Sequence, residues 1–177
     1  MSIFSFGEYK DGSSYKVLDE REVRASAGIM LFLALVAFVN VGFLDRYFVI
    51  TYVSGGLMLN FLIGLFINPK FAPTMIVARI MVSKQSPLPI GAVQKKFAWS
   101  IGLILSASIF GLSLLLLNDL QYFETVCMLC VICLWILYFE TAFGICLGCQ
   151  IYHFALKVKL LPQPKEKPNC MGDSCEV

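Results

Sequence analysis

Long apolar runs constrain this chain more than any other feature. One goes from Ala25 to Leu44 and is broken by Asp45 and Arg46; a second goes from Tyr47 to Ile67 and stops at Asn68-Pro69. A third goes from Phe97 to Leu117, and a fourth starts at Tyr122, after the polar turn of Asn118, Asp119 and Gln121. A helix rising about 1.5 Å per residue needs roughly 20 apolar residues to cross a bilayer core, so each run qualifies as a membrane span. With 58% hydrophobic residues and 15% charged, the chain has more apolar side chains than a soluble domain could bury.

The sequence therefore predicts an all-α membrane protein: a four-helix transmembrane bundle with spans at about 25–44, 47–67, 97–117 and 122–156. Residues 1–24 form a polar N-terminal segment, 25–160 the transmembrane domain, and 161–177 a cysteine-containing tail. The stretch Leu18 to Arg24 reads as a solvated cap or as the start of a helix on the membrane surface. Residues 69–96 carry Lys70, Arg79, Lys84, Lys95 and Lys96 among four prolines, and Thr74 to Val82 is too short to span. That segment is expected to lie as an amphipathic helix in the interface plane, between spans two and three. Basic residues gather in this loop and at both ends, so the positive-inside rule places both termini in the cytoplasm, with the two short turns facing outward from the cell's inner membrane. No cleavable signal is evident. The net charge of +2, with no basic patch interleaved with aromatics, excludes nucleic acid as a partner and leaves membrane lipid as the surrounding medium.

Five of the seven cysteines, the single histidine and two acids lie between Tyr122 and Phe154. Cys127/Cys130 and Cys146/Cys149 each have the Cys-x-x-Cys spacing, which suits either reversible disulfide formation or two of four zinc ligands. Read as one continuous helix, the stretch separates the pairs by about 24 Å from Cys130 to Cys146, too far for direct exchange. The same helix puts Cys130, Cys133 and Glu140 on one face and Cys127, Cys146 and Cys149 on another, so Glu140 is not aimed at the inner pair. An intramembrane carboxylate is costly, so Glu140 is either a proton relay or one side of an interhelical hydrogen bond, for example to Asn60. Gly144 and Gly148 flank Cys146 and leave room for a close helix or for a reactant. The bland alternative is that these thiols only pack; Cys133 is read that way, and His153 as an interfacial residue. In the tail, Cys170 and Cys175 sit on a proline-spaced arm. Folded back, they would complete a four-thiolate zinc site with Cys146 and Cys149, or exchange a disulfide with them.

Four segments carry a resemblance: LDEREVRASAG (Leu18 to Gly28), NPKFAP (Asn68 to Pro73), QKKFAWSIGL (Gln94 to Leu103) and FETAFGICLGCQIY (Phe139 to Tyr152). In these the chain resembles the bacterial integral membrane family called domain of unknown function forty-three ninety-five. The most specific part is the Glu, Phe-Gly and Cys-x-Gly-Cys of the last helix, here Glu140, Phe143-Gly144 and Cys146/Cys149. The resemblance implies work beside thioredoxin-like or rhodanese-like sulfurtransferase proteins. A weaker likeness joins Cys127-Met128-Leu129-Cys130 to the quinone-linked disulfide-forming enzymes of the vitamin K epoxide reductase and DsbB type. Those carry an additional shuttle pair, whereas this chain has no cysteine before Cys127.

The leading expectation is a membrane thiol-disulfide or sulfur-relay protein, possible as an enzyme, with Cys127, Cys130, Cys146, Cys149 and Glu140 carrying the chemistry. Zinc and quinone are the candidate cofactors. The rivals are a metal-binding membrane protein using Cys146, Cys149, Cys170 and Cys175, a transporter of a small sulfur species, and a structural subunit of a larger complex.

Overall fold

The computed structural model describes residues 6–9 and 15–159. Two short strands, β1 (Glu8–Tyr9) and β2 (Lys16–Asp19), lead directly into helix α1 (Glu20–Phe43). The Asp19 carboxylate caps α1 by accepting from the Arg21 amide, and Glu20 and Glu22 sit in its first turn, where the helix dipole favours acids. The stretch from Leu18 to Arg24 is thus no separate surface helix: it is the end of a strand and the opening turn of the first span. A tight turn at Asp45, with φ +51°, reverses the chain into α2 (Tyr47–Leu62), which continues as a π-helical turn (Ile63–Ile67).

Beyond the Asn68-Pro69 break lies α3 (Pro73–Val82), the short helix expected between the second and third spans. Strand β3 (Pro89–Gly91) then joins β2, giving an antiparallel sheet in the order β1-β2-β3 with Leu18 opposite Ile90. Helix α4 (Ala92–Leu116) returns across the bundle, and a 3-10 turn (Leu120–Tyr122) leads into α5 (Phe123–Tyr138), which also ends in a π turn (Phe139–Phe143). Helix α6 (Leu147–Lys157) follows. Four helical segments are long and apolar enough to cross a membrane: Glu20–Phe43, Tyr47–Ile67, Ala92–Leu116 and Leu120–Phe143. The all-α membrane bundle holds, with the small sheet closing one end.

The fourth span is not the continuous helix over 122–156 that its apolar character suggests. It ends at Phe143. Gly144 adopts a left-handed conformation with φ +69°, and the Gly144 and Ile145 amides both donate to the Phe139 carbonyl. Arg24 from α1 holds this break by donating to the carbonyls of Thr141, at 3.0 Å, and Ala142, at 2.9 Å. Those carbonyls lack helical partners because the helix stops. Replacing Gly144 by alanine is expected to cost about 1–2 kcal/mol, since only glycine enters the left-handed region freely; the Arg24 guanidinium, 3.2 Å from the new methyl, adds crowding. A lowered unfolding midpoint of the purified protein checks this.

The interior has two apolar layers. At the end away from the sheet, Val41, Ile50, Ile109, Leu116, Val126 and Cys130 pack together; at the sheet end, Val23, Met30, Leu57, Phe61, Trp99 and Leu137 do so. Between α1, α2 and α3 runs a buried polar relay. The Thr74 amide and hydroxyl donate to the Asn60 side-chain carbonyl, the Ser26 and Thr74 hydroxyls pair at 2.7 Å, and the Asn60 amide faces the Met30 sulfur. Asn60 therefore serves α3 and not Glu140.

Candidate functional site

Helix α4 begins at Ala92, five residues before the expected start of the third span, and this places Lys95 on its first turns. Lys95 is not a solvated loop residue. It is 1% exposed, and its ammonium donates to Glu140 at 2.5 Å. A buried cation of this kind is tolerated only when paired. The carboxylate that partners it stands on the π turn closing the fourth span, where the extra residue of a π turn re-aims the side chains that follow.

The break after Phe143 brings Cys146 and Cys149 into the same cluster. Cys146 is the N-cap residue of α6, in an extended conformation with φ −86° and ψ 100°. Its sulfur accepts from the Cys149 amide at 3.3 Å and from the Cys149 thiol, with the two sulfurs 2.7 Å apart. Because Cys146 stands outside the helix, its side chain turns back over the first turn. Cys127 and Cys130 differ: both lie within the regular helix α5, among Tyr47, Phe123 and Val126 at the opposite end of the bundle. Cys133 borders both apolar layers.

Helix α6 is pressed onto α4 at Gly148, where an added Cβ would lie 2.6 Å from the Ala98 Cβ and 2.7 Å from its Cα. Gln94 and His153 form a side-chain hydrogen bond of 2.9 Å between the same helices, and Phe97 meets Tyr152 at 5.5 Å between ring centroids. These contacts hold the cysteine pair beside Lys95 and Glu140. The pair is deeply covered, with Cys146 2% and Cys149 3% exposed.

The two thiols are made unequal by this arrangement. The proton donated by the Cys149 thiol lowers the Cys146 pKa below its ordinary value, against the effect of burial, and the Lys95 ammonium and Cys149 amide act in the same direction. Cys149 is pushed up, because it gives its hydrogen bond to Cys146 and is itself buried. Of the two, Cys146 is the one whose thiolate is favoured and Cys149 the one that keeps its proton. Glu140, assigned by the continuous-helix wheel to a face away from this pair, comes into its electrostatic range because the break redirects α6.

A cavity of about 320 Å³ inside the bundle ends at this cluster. Its walls come from α1, α2, α4, α5 and α6, and Glu140, Cys146 and Gly148 lie at its site end.

The sequence pattern of one family matches residues 18–157, the entire span from the first helix cap to the end of α6. The chain belongs to the family described as Domain of unknown function (DUF4395). The DUF4395 domain thus takes in Lys95, Glu140 and both site cysteines, and it excludes the tail. No curated protein and no solved structure matches the chain, so the likeness of Cys127-Met128-Leu129-Cys130 to quinone-linked disulfide-forming enzymes is not shown. Among the described residues no group of three His, Cys, Asp or Glu is arranged to hold a metal. Cys170 and Cys175, the other half of the four-thiolate reading, lie outside the described residues.

Sequence reasoning missed Lys95. The signal was available: an intramembrane carboxylate calls for a cation at the same depth, and Lys95 belongs to the basic pair that directly precedes the apolar run of the third span.

Proposed function

We propose that this is a membrane thiol-disulfide redox protein in which Cys146 and Cys149 are the working pair. The observation that carries the reading is the contact between the two sulfurs at the start of α6, with Cys146 as the cap and Lys95 close by. A thiolate at a helix N-terminus beside a cation is the arrangement that makes cysteine nucleophilic, and a second sulfur in contact allows the oxidised state to close as a disulfide. Packing alone requires neither a sulfur acceptor at the cap nor a buried ion pair in range. In one catalytic cycle the S–S bond forms as an electron acceptor takes two electrons and two protons from the pair, and a dithiol partner of thioredoxin-like chemistry reduces the bond again, becoming a disulfide itself. Cys127 and Cys130 have no corresponding geometry in α5 and act as packing residues. Glu140 positions Lys95 and stands ready to take a proton.

The basic residues gathered at the sheet end, among them Arg21, Lys70, Arg79, Lys96, Lys157 and Lys159, support our reading that this end faces the cytoplasm. An impermeant label reaching a tag on the tail from outside intact cells would reverse this orientation.

The asymmetry of the two thiols gives the test. In purified protein whose other five cysteines are serine, treated with methyl methanethiosulfonate, a small uncharged reagent able to enter the apolar cavity, Cys149→Ser should leave Cys146 able to form a mixed disulfide, visible as a methylthio adduct by intact mass. Cys146→Ser should leave Cys149 unmodified. The Cys146 reaction should continue at pH values where ordinary thiols are protonated, because its thiolate persists there, and should fail only as the pH falls below its lowered pKa. Equal modification of both variants, or of neither, contradicts the reading.

A further inference from the structure

We propose that the intramembrane cavity binds a lipid-soluble quinone, which takes two electrons from Cys146 and Cys149; this rests on the reading of that pair as redox-active. Both sulfurs are all but sealed from solvent, yet Cys146 forms part of the cavity wall, so an oxidant meets the pair from inside the bundle. At about 320 Å³ the cavity lies within the size range of small-molecule sites and has room for a quinone ring with the first part of its tail.

The lining fits such a molecule. Leu57, Phe61, Trp99, Leu105 and Ile136 make an apolar slot; at the end where the sulfur is stand Gln150, whose amide can donate to a carbonyl oxygen, and Glu140, whose carboxylate can accept the sulfur's proton. That is the pattern expected for an apolar ring whose carbonyl oxygens must be met at one place. The approach is apolar as well. Ile151, at the cavity's α6 wall, is 51% exposed, and Phe154 beside it on the same helix is 67% exposed. A water-soluble disulfide would have to shed its hydration to follow that route, whereas a quinone already resides in the bilayer.

The chemistry balances. The Cys146 and Cys149 sulfurs join in a disulfide and release two electrons and two protons. The quinone takes up both electrons and both protons and leaves as the quinol. Glu140, hydrogen-bonded to Lys95 and facing the cavity, is the group placed to pass a proton between sulfur and quinone oxygen.

The test uses full-length protein keeping only Cys146 and Cys149, with the other cysteines replaced by serine. Purified in detergent, reduced and freed of reductant without oxygen, it is given decylubiquinone, whose fully substituted ring does not add thiols. The expected result is loss of both thiols with formation of one quinol per disulfide. Filling the slot by Ser106→Phe should slow this about tenfold, as a lost binding step does. Binding is read separately from redox. In a Trp135→Phe protein, Trp99 is the remaining tryptophan and lines the cavity, so oxidised decylubiquinone should quench it saturably. This signal also serves if Ser106→Phe fails to fold. Diamide, a small uncharged oxidant of vicinal thiols that crosses apolar barriers, separates the two levels of the argument. A disulfide formed with diamide but not with decylubiquinone, or no saturable quenching, overturns the quinone site and leaves the redox pair standing. Failure with diamide as well removes the redox reading and the quinone site with it.

Discussion

Replacing Glu140 by leucine is expected to destabilise the protein by about 3–5 kcal/mol, the cost of leaving a buried charge without its partner. Lys95 is 1% exposed and Glu140 anchors it at 2.5 Å, so the single substitution strands an ammonium in the bundle. The double variant Lys95→Met/Glu140→Leu should regain most of the loss, because two apolar groups of similar length replace the pair without an orphan charge. Denaturant unfolding of the purified protein checks this, with the double variant above the single. If the single and double variants unfold together, Lys95 has another counter-charge and the ion pair is not what holds this end of the bundle. The two variants also separate stability from function: the double variant should fold and yet lose part of the ease with which Cys146 ionises, since the Lys95 ammonium favours the thiolate more than the Glu140 carboxylate opposes it, while the Cys149 hydrogen bond remains.

Gly148→Ala should have the second largest effect. The new methyl would lie 2.7 Å from the Ala98 Cα, and that atom is backbone and cannot rotate away. Helix α6 must therefore lift from α4. Overpacking of this kind costs about 1–3 kcal/mol, and here it also carries Cys146 and Cys149 away from Lys95. The thiols should lose their shelter, so alkylation of Cys149 in the folded protein should rise about tenfold, as expected when a protected site opens locally. Gly111→Ala is the control, since nothing lies within 4 Å of its added Cβ. If Cys149 is alkylated no faster in Gly148→Ala than in the control, the α4–α6 contact does not set the site.

Four spans were legible from their length, and the first three also from their ends, because those runs stop at Asp45-Arg46, at Asn68-Pro69 and at the polar residues around Asp119. The short α3 was legible for the converse reason, too few apolar residues between prolines. The end of the fourth span was not. Glycine is common in membrane helices, so Gly144 inside an apolar run carries no stop signal by itself; what ends the helix is its left-handed conformation together with Arg24, more than a hundred residues earlier in the chain. From that one unread break came the misplacement of Glu140 relative to Cys146 and Cys149, since a helical wheel holds only while the helix does. Lys95 was hidden because a Lys-Lys pair beside prolines reads as a solvated loop until the helix start at Ala92 places it within a span. The small sheet was hidden because strands of two to four residues leave no measurable alternation. Of the candidate site residues, Cys146 and Cys149 gather with Glu140 at one end, while Cys127 and Cys130 remain in regular helix at the other.

The central claim is that Cys146 and Cys149 form a reversible redox pair. The most direct measurement is intact-protein mass after alkylation, on the variant that keeps only these two cysteines, equilibrated across a series of dithiothreitol redox ratios. The account predicts a single two-electron transition, from a form that takes two alkyl groups to one that takes none and is lighter by two hydrogens, with singly alkylated protein scarcely populated. Two alkylatable thiols at every ratio, including the most oxidising, would contradict it.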